Sequence, residues 1–180
     1  MARVICLEGC SGAGKTTQRD RLSSKLSLLN KSVLVIHEKD YEPFRSLVIN
    51  WHNHSLGKSF DFAGVLSFAK ARAVVHCEQI LPRLNGFDYI IFDRNFYTSA
   101  VHQSGQLTLQ EIVNINVEEG AIMPNKTLVF MCNPETSFKR ILDRRNKIKR
   151  YSLPSMNENL NQLIKYHRLY LDLLDSYPNL

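Results

Sequence analysis

The sequence predicts an α/β fold: one domain of 180 residues in which a four-stranded parallel sheet is covered by helices on both faces, in three layers. Three observations lead there. Four short runs are almost continuously apolar, "RVICLE" (3–8), "SVLVIH" (32–37), "DYIIFD" (88–93) and "KTLVFM" (126–131), the pattern of parallel strands buried on both faces. Segments of helical period lie between them. The first run leads straight into a glycine-rich loop, "EGCSGAGKTT" (8–17), and a helical pattern follows it.

The helices can be justified in turn. Behind the loop, Leu22, Leu26 and Leu29 line one face. Phe62, Val65, Leu66, Ala69, Ala73, His76, Ile80 and Leu84 recur at helical spacing, predicting one helix over 61–84. "TLQE" (108–111) reads as a capping box, and "NPE" (133–135) as an Asn cap with Pro at the first helical position. "SMNE" (155–158) reads as another box, ahead of Leu160, Leu163, Ile164, Leu171 and Leu174. No repeat, low-complexity segment or linker divides the chain.

Composition narrows the function classes. No apolar run reaches membrane-spanning length, and the N-terminus does not read as a signal peptide. Cys6, Cys10, Cys77 and Cys132 lack zinc or redox spacing, which points to free thiols in a reduced, cytoplasmic protein. The net charge of +6 is confined to one segment, Lys139–Arg150, where seven basic residues face Asp143 alone; elsewhere sixteen basic and sixteen acidic residues cancel. A nucleic-acid footprint would spread its charge, whereas one basic cluster suits a compact polyanion or a solvated helix face.

The loop has the spacing G-x-x-x-x-G-K-[ST], from Gly9 through Cys10, Ser11, Gly12, Ala13 and Gly14 to Lys15, Thr16 and Thr17. Such a loop turns successive backbone N–H groups onto phosphate oxygens, and the helix behind it adds its positive end. Lys15 should reach the β- and γ-phosphates of a nucleoside triphosphate, and the Thr16 hydroxyl should bind Mg²⁺. Asp93 ends the third strand, where a carboxylate can order the water shell of the same ion. A motor-type ATPase would place a second acid next. Here Arg94 follows, which suggests a second anion as phosphate acceptor in place of water.

Taken together, these segments resemble the thymidylate kinases, the branch of nucleoside monophosphate kinases that phosphorylate dTMP with ATP. The likeness runs through "LSFAKARA" (66–73), "FDRNFYTSAVHQSG" (92–105), "MPNKTLVFMCNPETSFKRI" (123–141), "KRY" (149–151) and "YLDLLDSYPNL" (170–180). It implies a P-loop kinase fold, ATP as donor held by residues 9–17, and a basic LID at about 143–155. Phe68 would stack on the pyrimidine, although an apolar helical face is equally consistent with core. Arg72 would reach the base carbonyl or the acceptor phosphate, and Arg94 would clamp that phosphate. Thr98 and Gln103 match residues near the base and sugar; His102 reads as a pocket wall. Tyr170 lines up with a family tyrosine or packs in the core. With no arginine in the phosphate loop, catalysis falls to the LID arginines Arg144, Arg145 and Arg150, the first two foremost. A homodimer through the apolar side of 61–84 fits the family.

Four departures bear on the acceptor and donor sites. Ser11 replaces the family's loop carboxylate. "HEKDYEPFR" (37–45) stands in place of R-E-P-G-G-T, with Glu38 keeping the acid and Arg45 or Lys39 replacing a phosphate ligand. Asn95 replaces a tyrosine that would exclude ribose. Relatives usually run on into a last strand and helix, so an open sheet edge and a weaker hold on the donor base are expected. The readings are therefore a dTMP kinase, a kinase of dUMP or another nucleoside monophosphate, or a weakened nucleotide-binding module. Binding or 5′-phosphorylation of nucleic acid is the remote one.

Overall fold

The structure is a computed structural model that describes residues 2–54, 60–147 and 159–177. Its sheet has β1 (Arg3–Gly9), β2 (Val33–Ile36), β3 (Tyr89–Asp93) and β4 (Lys126–Phe130) in the order β2-β3-β1-β4. All three pairings are parallel, as the continuous apolar runs predict. Cys6, Ile36, Ile90, Ile91 and Phe92 are fully buried in it. Leu7 pairs with Asp93, so the carboxyl ends of β1 and β3 meet and deliver Gly9 and Asp93 to the same rim. β4 stands at the sheet's edge beyond β1.

Seven α-helices cover the sheet among the described residues: α1 (Lys15–Leu28), α2 (Phe44–His54), α3 (Phe62–Val74), α4 (Phe96–Gln103), α5 (Leu109–Glu118), α6 (Pro134–Lys147) and α7 (Leu160–Ser176). The capping box at Thr108 and Glu111 starts α5. Asn133 accepts from the amides of Glu135 and Thr136 at the start of α6, with Pro134 as its first residue.

Two expectations are corrected. The 61–84 helix does not run through. After α3 it widens into a π-helical stretch, Val75–Ile80, then tightens into a 3₁₀ stretch, Leu81–Gly86. Pro82 has no N–H to continue the α ladder and its ring crowds the preceding turn. The box before α7 is formed by Asn159 and Gln162; 155–158 lie outside the described residues. The buried stripe of α7 runs through Leu163, Tyr170 and Leu173, while Leu171 is 45% exposed. A stripe of aliphatic residues alone misses the tyrosine, whose ring body buries as well as any aliphatic chain. No helix among the described residues is long and apolar enough to cross a membrane.

Candidate active site

The loop between β1 and α1 curls through three glycines at positive φ, two of them pressed against other elements. Gly9, at φ +128°, passes so close to β4 that a Cβ would lie 2.2 Å from the Phe130 carbonyl oxygen. Gly12, at φ +79°, passes α6 so that a Cβ would lie 2.6 Å from the Ser137 oxygen. The loop is thus pressed between a strand end and the first turn of α6, and its backbone is held for phosphate. Lys15 opens α1 and is buried; its Nζ donates to the carbonyls of Gly9 and Cys10, both at 2.8 Å. Burial, followed by the charge of Arg94, pushes its ammonium down to about 7, against the pull of Glu8 and Asp93. A phosphate beside it would restore the charge. Ser11 lies half-buried at the loop tip, and Thr16 and Thr17 are exposed on the first turn of α1.

Asp93 closes β3 with its carboxylate almost buried. Its Oδ2 accepts from Arg19 Nη1 at 2.8 Å and lies 3.1 Å from His37 Nε2. Burial pushes this acid up, but the His37 hydrogen bond and the charges of His37, Arg94 and Lys15 outweigh it, and the carboxyl falls to about 2. Arg19 and His37 were not singled out from the sequence. Arg19 lies one helical turn beyond Lys15, a spacing that could have flagged it. The pair Thr16 and Asp93 suits a hard cation: a hydroxyl and a carboxylate that stays ionised, both oxygen donors.

Arg94 holds a left-handed backbone at φ +77°, rare for a residue with a side chain and a mark of a functional turn. Its amide donates to the Leu7 carbonyl, and its Nη1 donates to the Gly9 carbonyl at 3.0 Å and to Thr98 Oγ1 at 3.1 Å. The guanidinium is thereby aimed at the phosphate loop. Glu8, also missed in the sequence, holds this turn from beneath. Fully buried, it accepts from the amides of Asn95 and Thr98, from Thr98 Oγ1 and from the Tyr170 hydroxyl. Burial pushes its carboxyl up, opposed by Arg94 and those hydrogen bonds. Tyr170 is fully buried, so its polar end supports Glu8. Asn95 caps α4 and donates to the Ile122 carbonyl. A tyrosine's sugar-sensing role is therefore not one this side chain has taken over.

On the other side of the rim stand Phe68 and Arg72. Phe68 is 7% exposed and meets Phe44, Phe60 and Trp51 edge-on at 5.5–6.4 Å between ring centres. Arg72 is 1% exposed under the Phe44 ring, its guanidinium carbon 4.8 Å from the ring centre. Its Nε donates to both oxygens of Glu38 at 2.8 and 3.0 Å, its Nη2 to Ser99 Oγ at 2.9 Å, and its Nη1 to Asn116 Oδ1. Burial raises the Glu38 carboxyl, but Arg72 and His76 outweigh it and hold it below the usual range. Glu38 thus faces Arg72, while Arg45 is exposed on the first turn of α2. Gln103, at the end of α4, is buried with its Oε1 lacking any partner among the described residues. His102 stacks on Tyr166 at 4.1 Å.

Arg140 of α6 donates to the Gly12 carbonyl at 3.1 Å. Arg144, one turn further along the same face, is exposed. The side chain of Arg145, and Arg150 altogether, lie outside the described residues, as does most of the expected LID; its first residues, up to Lys147, continue α6.

A phosphate loop at the carboxyl end of a parallel sheet, a buried lysine in it, and an Asp–Arg pair on the adjacent strand define a P-loop phosphotransferase. The profile of the family described as "Thymidylate kinase" matches residues 7–179. The chain belongs to the thymidylate kinase family. It is 31% identical over 173 residues to the thymidylate kinase of Aster yellows witches'-broom phytoplasma, covering 94% of this chain and 81% of that protein. It is 26% identical over 180 residues to that of Chlamydia felis, covering 97% and 84%. Among solved structures, the crystal structure of thymidylate kinase from Ehrlichia chaffeensis superposes with a TM-score of 0.67 at 21% identity, over 99% of this chain and 89% of that one, a likeness of fold.

Proposed function

We propose that the chain transfers the γ-phosphoryl group of ATP to the phosphate of dTMP, giving dTDP and ADP. The observation that carries this is the meeting of Lys15, Asp93 and Arg94 on one rim, with an arginine aimed at the loop where a hydrolase would carry a second acid. In the transfer, an acceptor phosphate oxygen bonds to the γ-phosphorus as the bond to the β–γ bridging oxygen breaks. The acceptor is already anionic, so countercharge and alignment matter more than a base. Lys15 and the loop amides hold the donor, and Arg94 holds the acceptor phosphate. Arg144, Arg145 and Arg150 would supply countercharge to the transferred group. Thr16 and Asp93 would hold Mg²⁺, which when bound screens the phosphate charges.

On the acceptor side, Phe68 forms the apolar wall for the pyrimidine, and Arg72, through Ser99, holds α4, which carries Thr98 and Gln103. Gln103, matched by the resemblance to a residue near the base, would accept from a hydrogen on N3 through its carbonyl oxygen, favouring thymine or uracil over cytosine. dUMP is accordingly the second acceptor this site supports. We assign a cytoplasmic enzyme, and Phe62, Val74 and Leu81, exposed along the α3 segment, as the surface for a homodimer, which sedimentation velocity tests.

The test is product analysis with ATP, Mg²⁺ and dTMP. dTDP and ADP should form in equal amounts, and Lys15→Met should abolish both. ADP formation that does not depend on dTMP, or no dTDP, contradicts the reading.

A further inference from the structure

His76 is fully buried on the face of Arg72, one turn on, where its helical spacing alone reads as core. Its two ring nitrogens have separate partners. The Ile122 amide donates to Nδ1 at 2.8 Å, so Nδ1 carries no hydrogen. The ring proton therefore sits on Nε2, 2.9 Å from Glu38 Oε1, and His76 is a donor to Glu38. Glu38 in turn accepts the Nε–H of Arg72 on both oxygens. The other ends of the Arg72 fork reach Ser99 on α4 and Asn116 on α5, and Asn116 is oriented by its own bond to the Ile112 carbonyl at 2.7 Å. The network ties α3, α4 and α5 together beside Phe68. None of its members belongs to the phosphate loop or to α6.

We infer that His76 is a positioning residue for the acceptor nucleotide: it orients Glu38, Glu38 sets Arg72, and Arg72 fixes the place of α4 with Thr98 and Gln103. The inference rests on the proposed dTMP kinase activity and adds to it a specificity for one of the two substrates. A histidine that merely fills the core would change stability, or both substrates alike. One that positions α4 changes the acceptor alone.

Two substitutions separate the two nitrogens. Asn places its amide oxygen near Nδ1 and keeps a partner for Ile122, but loses the donor to Glu38. Gln places its amide nitrogen near Nε2 and keeps the donor to Glu38, but loses the partner of Ile122. KM for dTMP and for ATP is measured for the parent chain, His76→Asn and His76→Gln, with folding followed by circular dichroism. His76→Asn should raise the dTMP KM at least about tenfold with the ATP KM within about twofold, while His76→Gln stays within about threefold of the parent for both. An unchanged dTMP KM in His76→Asn, equal shifts in the two variants, or parallel shifts for both substrates overturn the inference. Should His76→Asn fail to fold, His76→Gln decides: a tenfold rise of its dTMP KM overturns the inference, and an unchanged one supports it. A parent chain with no dTMP-dependent turnover contradicts the proposed function itself, whereas an active parent with an insensitive His76→Asn contradicts the inference alone.

Discussion

Lys15 shows how the site trades stability for readiness. With its ammonium pushed down to about 7 from 10.5, the folded protein holds that proton less tightly than the unfolded chain. The unfolded chain therefore binds more protons between these values, and this group's contribution to stability rises as pH goes from about 7 towards 10. Lys15→Met should raise the melting temperature of the ligand-free protein at pH 7 and flatten that rise, while lowering turnover by at least about 100-fold. Thermal unfolding across pH 6–10 checks the first part and steady-state kinetics the second. Asp93 shifts in the same direction, but as an acid it is favoured in its charged form by the fold. Its carboxyl is held at about 2 against 3.8, so its contribution is present above about pH 4 and is lost as pH falls towards 2. Gln103 carries the residue-scale prediction on specificity. With its carbonyl oxygen turned to the base, as proposed, it disfavours a ring whose N3 is itself an acceptor, so dCMP should have a kcat/KM at least about tenfold below dUMP; equal values would remove Gln103 from base recognition.

At the scale of elements, α7 and α6 do different work. Through Tyr170, α7 donates to Glu8 at 3.1 Å beneath the Arg94 turn, so Tyr170→Phe should cost about 1 kcal/mol of stability and leave both KM values within about twofold. Denaturant unfolding reads the first, and a large acceptor KM change would return Tyr170 to the ligand. α6 presents Arg140 and Arg144 along one face towards the loop, and Arg144→Ala with Arg145→Ala should lower kcat by about 100-fold or more with the fold intact. Unchanged turnover would move the catalytic arginine elsewhere. The elements were legible where their cause is local. The four strands, the Thr108 box and the Asn133 cap follow from period and from contacts within a turn. The break after Val74 was not, because the apolar spacing continues through it and only Pro82 marks the change. Nor were Glu8, Arg19 and His76 as site residues. Their partners lie far along the chain, 162 positions away for Glu8 and Tyr170 and 74 for Arg19 and Asp93, and no window of spacing contains both ends.

For the whole molecule, the sheet order sets what can meet. β1 and β3 are neighbours, so the phosphate loop and the Asp93–Arg94 turn share a rim. α3, α4 and α5 gather beside it around Arg72, while α6 lies against the loop. On the proposed reading the donor and acceptor sites rest on different helices around one strand pair, so substitutions should separate by substrate. Ser11 stands half-buried at the loop tip, where the resemblance leads to the expectation of a carboxylate. Ser11→Asp should lower the dTMP KM by about two- to fivefold, since a carboxylate accepts a sugar hydroxyl more strongly than a serine does. The activity proposed for these two sites is that of a dTMP kinase. It is tested most directly by ADP formation from ATP with dTMP, dUMP, dCMP, UMP and a 5′-hydroxyl oligonucleotide offered in turn. The highest kcat/KM is expected for dTMP, dUMP second, with no turnover of the oligonucleotide; no acceptor-dependent ADP from any nucleotide, or the oligonucleotide as the best acceptor, would contradict the proposed function.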